Sequence, residues 1–499
     1  MELQFEKQQI PCLRQLPAEE QIQEQTQELR LSDGMPDIGR VLCAWGQVVM
    51  RGKEWRSDSI GVSSGVMAWV LYAPEDGSQC QCVETWIPMS MRWDIPETQQ
   101  DGYIQCHPLL QSVDARTVSS RKLMVRATVG MLCRAYSPWQ IPAYSPESLP
   151  ADIRLKVKNY PVTLIRESGE KAFMIDEELM LPSSAPAFEK LIRCALQPEV
   201  AEQKVMGDKA IFRGNGLLHI LYRTPEGTMA SWDFEIPFSQ YTDLERQYGH
   251  EAQVSVDPVV TGMELTAHEQ GRLRLKAGLS GQYLISDMQE LSMVEDAYSP
   301  MRQVTVHRET VDLPTVLDRQ GQRLRAEQTA AFGSQRIADT VLYPAMPRRQ
   351  RKIGEISLEI PGQFQVLYYD AEGTLQSGSA HWQDSVTMGL DDGAAMEILC
   401  SCTGKPQAVP GEDGTLMRGE IWMETVASAM EQWDTVTGLT AGEQVQKDPA
   451  RPSLILRRAG KEELWDIAKA NGSTVEDIRA ANGLQGEPDP DKMLLIPIL

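Results

Sequence analysis

The chain's cysteines and histidines are its most reactive side chains, and their spacing decides what chemistry they could support. Cys80-x-Cys82 and Cys400-x-Cys402 each put two thiols on one face of a strand, and Cys106-His107 sets a thiol beside an imidazole. A structural zinc needs four converging ligands, and neither pair has a partner pair at zinc spacing. These thiols are therefore expected to behave as small buried hydrophobes. Nine cysteines, an odd and scattered set, do not make a disulfide framework and suit a reducing cytosol. The six histidines, His107, His219, His250, His268, His307 and His381, do not recur at equivalent places, and nothing sets a base beside a nucleophile. Phosphate-cradling loops and His-Glu-x-x-His are missing, and no nucleophile elbow is expected. No catalysis, metal or cofactor is expected.

What does recur is a Tyr/Glu/Gly pattern. Leu71-Tyr72-Ala73-Pro74-Glu75-Asp76-Gly77 returns as Leu221-Tyr222-Arg223-Thr224-Pro225-Glu226-Gly227 and as Leu367-Tyr368-Tyr369-Asp370-Ala371-Glu372-Gly373. Each follows an apolar run and reads as a hairpin tip whose glycine supplies positive φ over a packed tyrosine. Pro36 aligns with Pro186, and Val162–Ser168 with Val304–Thr310. Three copies of one unit follow, at 1–150, 151–300 and 301–440, the third the most diverged. Within the copies Leu123, Val125, Ala127 and Val129, and later Leu273, Leu275 and Ala277, alternate with polar residues. That period of two marks half-buried antiparallel strands. Three related β-sandwich-like repeat domains are expected, with a short helical piece near Ala187–Leu196.

A net charge of −22 argues against nucleic acid and anionic membrane as general partners. No apolar run is long enough for a membrane span. Met1–Gln9 has no basic region followed by an apolar stretch, so no secretory leader is expected. The basic cluster Pro347–Lys352 is expected to be a solvated loop. Residues 437–453, rich in Gly, Gln, Asp and Pro, read as a linker freeing the tail, with the boundary set at 441–452.

The tail, 453–499, is a small α+β unit of βααβ order. Leu454 and Leu456 alternate as in a strand, and Leu464, Ile467 and Ala468 form a helical stripe. Asn471-Gly472 and Asn482-Gly483 stop two helices, the second opened by a capping box of Ser473 and Glu476. Met493–Ile496 closes a two-stranded sheet. With Leu464-Trp465-x-Ile467-Ala468 and Leu494-x-Ile496-Pro497, this order resembles a LysM module. The resemblance implies binding of N-acetylglucosamine polymers through the loops after strand one and before strand two. Both loops depart from the pattern. Gly460-Lys461-Glu462-Glu463-Leu464 lacks the small hydroxyl residue, and Gln485–Asp491 is acidic and proline-stiffened. A protein partner is expected instead. Trp465, about 100° from the core stripe, should lie at the module's edge as a binding anchor. Ile455, placed opposite Leu454 and Leu456, is a second candidate, and Ile467, Asn482 and Leu484 complete the partner-binding set.

The tandem β repeats, the segment Asp33-Gly34-Met35-Pro36-Asp37-Ile38-Gly39-Arg40-Val41-Leu42 and the terminal module together resemble the SipL-like clostridial spore-coat morphogenetic proteins. The resemblance implies a non-enzymatic adaptor in the mother-cell cytosol, at the forespore surface and spore coat. Its partners would be the SpoIVA-like coat ATPase, held by the LysM module, and other coat proteins. Peptidoglycan binding is the alternative.

Overall fold

The computed structural model describes residues 2–16, 19–95, 102–146, 149–268, 271–444 and 452–498. The period-two patterns become long antiparallel strands. In each copy the first strand pairs with the last, and the penultimate strand takes the last one's other edge. The first copy joins Glu6–Gln15 and Glu19–Arg30 to Lys122–Ser145, flanked by Tyr103–Ser119. The second joins Arg154–Met180 to Arg272–Tyr298, flanked by Gln253–Ala267. The third joins Arg302–Ala330 to Gly414–Gln444, flanked by Ala395–Gly411. A separate hairpin sheet faces each, at Ile38–Asp94, Lys190–Tyr248 and Arg336–Gly389.

The cores lie between these sheets. Leu123, Val125, Ala127 and Val129 are fully buried against Val66, Ala68 and Val70 in the first copy. Leu273, Leu275 and Ala277 meet Phe212, Leu218 and Ile220 in the second, and Met417 and Ile421 meet Leu358, Ile360 and Phe364 in the third. Each of the larger side chains (Val, Leu, Ile, Met, Phe) contributes about 1.5–3 kcal/mol on burial. The chain is thus three β-sandwich-like repeats followed by a βααβ unit, as its patterning predicts.

The hairpin tips hold internal locks. Gly77, Gly227 and Gly373 have φ of 73°, 84° and 74°, the left-handed region that glycine enters without steric cost. Tyr72 donates its hydroxyl to the Pro36 carbonyl (3.0 Å) and Tyr222 to that of Pro186 (2.9 Å), each 36 residues back. In the third copy Phe332, again 36 residues back, stacks on Tyr368 at 5.8 Å.

The three copies meet one another. The far ends of their long ribbons share a core of Cys12 and Ile141, Val162, Leu164, Leu291 and Met293, and Val311 and Leu313. Val162 belongs to that core, whereas Val304, its match in sequence, packs against a different cluster along with Leu155. Glu2–Gln4 then pairs with Gly438–Thr440, joining the first copy's start to the third copy's end.

Other expectations fail for physical reasons. Ala187–Leu196 forms no helix: Lys190 opens a strand, with Ile192, Cys194 and Leu196 buried and Leu191 half-buried just before them. Residues 437–444 continue the Gly414–Gln444 strand, where Leu439 and Ala441 are buried, and 445–451 lie outside the described residues. The basic cluster is a strand, Arg348–Lys352, paired with Glu355–Glu359. Arg348 meets Glu359 at 2.9 Å, Arg349 meets Glu20, and Arg351 donates to the carbonyls of Ala394 and Asp391.

Charged bridges cross the copies where the cores touch. Arg193 binds Asp339 through Nε (3.0 Å) and Nη2 (2.5 Å), and Arg134 binds Glu397 at 2.7 Å, all four groups buried. His107 links Asp257 (2.9 Å) with the Cys400 carbonyl (3.4 Å), so one imidazole touches all three copies. His219 lies between Asp233 (2.5 Å) and Asp339 (3.0 Å). Burial disfavours the charged form of both rings, but Asp257 and Asp339 outweigh it and raise both above the ordinary 6.5. Raised folded values mean this stabilisation is complete below about pH 6.5 and fades as pH rises through the folded values. The denaturant midpoint should therefore fall as pH rises above about 6.5. His107→Gln combined with His219→Gln should flatten that fall, and an unchanged slope would show the rings do not carry it.

Candidate functional site

The terminal module is the place to look for a partner site. Strand Leu454–Arg458 pairs antiparallel with Met493–Pro497, and two helices, α1 (Leu464–Asn471) and α2 (Val475–Asn482), cover one face. Ala459, Leu464, Ile467, Ala468, Ile478, Leu494 and Ile496 are fully buried. Gly472 and Gly483 cap the helices in the left-handed conformation, as the two Asn-Gly pairs predict. The capping box is shifted by one residue. Thr474, not Ser473, is the N-cap of α2, and its hydroxyl accepts from Asp477 N at 3.0 Å. Helix α1 has no side-chain cap from its own N-cap residue, Glu463. Glu487 supplies one from the second loop, its carboxylate accepting from Leu464 N at 2.9 Å. The two altered loops are thereby tied together.

The predicted site residues do not form one surface. Ile467 is wholly inside, where a contact with a partner is sterically closed. Trp465 is half-buried, but against this chain: its ring meets Tyr298 edge-on at 4.7 Å and its Nε1 donates to Asp296 at 2.9 Å. Asn482 turns inward too, giving Nδ2 to the carbonyls of Ile478 and Leu495 and accepting from Leu495 N. Leu484 packs on the module core. Ile455 also packs on that core, so the strand's phase is the reverse of the expected one. The helices cover the side carrying Ile455, Leu494 and Ile496, and a shift of one residue exchanges the faces of a strand.

Leu454 (49% exposed), Leu456 (61%), Met493 (49%) and Leu495 (37%) consequently form an apolar outer face. Leu456 stands directly across from Leu495.

Sequence reasoning missed the dock between module and body. Tyr298 of the second copy is buried as part of the module's core and donates its hydroxyl to the Ser473 carbonyl at 3.0 Å. Asp296 accepts from Trp465, from Lys469 (2.6 Å) and from Arg308 (2.9 Å), while Lys156 meets Glu463 at 2.6 Å. Burial raises the Asp296 carboxyl, but its bonds to Lys469 and Trp465 outweigh this and hold it below the usual range. A signal was present: Ala143-Tyr144-Ser145-Pro146 at the end of copy one recurs as Ala297-Tyr298-Ser299-Pro300 at the end of copy two.

Two of the body's histidines, His107 and His219, bond within the chain. Among the described residues no group of three or more His, Cys, Asp or Glu side chains is placed to hold a metal, and every described cysteine is free. A cavity of about 260 Å³ lies where the three copies meet, lined by Gln15, Arg134, Tyr136, Thr163, Arg319 and Glu397 among others. No histidine or cysteine lines it. Both nitrogens of His219 face carboxylates. Gly61-Val62-Ser63-Ser64-Gly65 does spell the letters of a nucleophile elbow. It runs through a paired strand, with Ser63 opposite Ser90, and lacks the sharp strand-to-helix turn that exposes such a serine.

A β-repeat body closed on itself and carrying a small βααβ module defines the class of this protein. Residues 188–267 match the family model described as SipL, SPOCS domain, and residues 462–497 match that of the LysM domain. The chain thus carries a domain similar to the SipL SPOCS domain and, after it, a LysM domain. No curated protein and no solved structure matches it. No described helix is long and apolar enough to cross a membrane.

Proposed function

We propose that the chain is a non-enzymatic adaptor of spore-coat assembly, working in the mother-cell cytosol at the forespore surface. Its LysM module grips the SpoIVA-like coat ATPase, and its β body spaces that grip from other coat proteins. The SPOCS and LysM matches support the sporulation setting. The observation that carries the protein-binding reading is the exposed apolar face of Leu454, Leu456, Met493 and Leu495, on the side of the sheet away from the helices. Exposed apolar surface of this kind marks contact sites for other macromolecules. The loop bridge from Glu487 to Leu464 N favours the same reading, because it commits a loop that glycan-binding relatives use for sugar.

Full-length protein should capture the purified coat ATPase, and Leu456→Glu should reduce capture at least about tenfold, a change of about 1.4 kcal/mol. The variant's unfolding curve checks that it is folded. A wild-type chain that does not bind the ATPase overturns the named partner. The LysM match itself favours a second reading, peptidoglycan binding. Sedimentation with purified peptidoglycan, reversed by N-acetylglucosamine oligomers, would put that reading first.

A further inference from the structure

We propose that the LysM sheet takes its partner as an added β-strand, along the free edge of Leu454–Arg458. The inference rests on the protein-binding reading and specifies the form the partner brings. Ile498 N donates to the Ser453 carbonyl and Ala459 N to that of Lys492 (3.0 and 2.9 Å), while Ile455 faces Ile496 and Arg457 faces Leu494. Antiparallel pairing alternates, so the odd-numbered residues of this strand bond inward and the even-numbered ones turn N–H and C=O away from the sheet. Leu454, Leu456 and Arg458 are the outward set, and within the described residues their backbone groups meet no partner.

The other edge is sealed. By the same alternation Leu495 turns its backbone outward, and the Asn482 amide takes both groups, Nδ2 at 2.6 Å from the carbonyl and Oδ1 at 2.8 Å from the N–H. One edge is therefore closed by a side chain that imitates a strand, and the opposite edge is open. Unpaired edges are templates for strand addition, and a two-stranded sheet gains most from a third strand.

The open edge also states what would fit it. Leu454 and Leu456 point their side chains to the uncovered face, so an entering strand would set alternate apolar side chains beside them. Arg458 follows, its side chain 68% exposed and its contact with Asp491 a loose 3.7 Å, an arrangement worth little by itself. In a chain of net charge −22, this local cation calls for an acidic residue on the incoming strand. The occupant is an extended partner segment, alternately apolar, with a carboxylate level with Arg458.

Leu456→Pro removes the backbone donor together with the leucine side chain, so Leu456→Ala, which removes the side chain alone, is its control. The donor lost is an N–H that the module does not use, and proline is tolerated at such an edge position. Binding of the full-length proline variant to the coat ATPase should weaken at least about tenfold beyond that of Leu456→Ala. Hydrogen exchange on the wild-type complex should show the Leu456 and Arg458 amides newly protected, and Leu494 and Ile496 in the free proline variant should remain as slow as in wild type. Binding by a folded Leu456→Pro as tight as that of Leu456→Ala, or unchanged exchange at Leu456 and Arg458 on binding, overturns edge pairing while leaving the adaptor reading intact. A free wild-type chain that dimerises and becomes monomeric on Leu456→Pro also overturns it, because the occupant is then a second copy. Failure of the wild type to bind the ATPase removes the adaptor reading first, and this inference with it.

Discussion

Asp339→Ala should destabilise the three-copy body by about 3–5 kcal/mol, the cost of leaving one half of a buried ion pair uncompensated. Asp339 is 3% exposed, and its carboxylate receives two bonds from Arg193 of the second copy, with His219 on its other oxygen. Without it, the Arg193 guanidinium keeps only the face of Trp45, 5.1 Å away in the first copy. A cation over an aromatic ring recovers about 2 kcal/mol at best when desolvated. Asp339→Asn should cost less, since an amide oxygen still accepts a hydrogen bond. Because the bridge joins copies, the loss should appear in the whole denaturant transition, not in a separate unfolding of the third copy. A loss under about 1 kcal/mol, the scale of an exposed pair, would show that the bridge does not hold the copies together.

Tyr298→Ala should release the LysM module from the body without unfolding either. Truncating a buried aromatic costs about 3–5 kcal/mol, and here the ring sits between two units, filling the module's core from outside. The change also removes the hydroxyl bond to the Ser473 carbonyl and leaves Trp465 without its ring partner. The Trp465 and Lys469 bonds to Asp296 remain, but they are polar and close to solvent. Amide exchange in α1 should accelerate while exchange in the three β cores stays unchanged. Loss of protection throughout the module would mean that it folds only when docked. Unchanged α1 exchange would show the dock contributes little.

Much of the architecture was legible because it follows from local rules. Alternation at Leu123–Val129 and Leu273–Ala277 specifies strands with one dry face, and Gly77, Gly227 and Gly373 take the positive φ that their tips require. The two Asn-Gly stops end the helices of the module. What could not be read depends on neighbours distant in sequence. The segment Leu191–Leu196 has an ambiguous period, and the packing of Ile192, Cys194 and Leu196 makes it a strand. Leu454, Ile455 and Leu456 are all apolar, so only the position of the helices decides which of them turns inward. Trp465 was legible as an edge residue, but its contact is Tyr298, far off in the chain, and no rule of spacing joins the two. Arg193 and Asp339 look like ordinary surface charges until the copies are packed together.

The pairing of Glu2–Gln4 with Gly438–Thr440 carries a consequence for synthesis. Synthesis makes Glu2–Gln4 long before the segment that will receive it exists, and such distant pairing is slow to form. That strand is thus among the last to be seated, and a nascent chain halted before the third copy is complete would keep it unmatched.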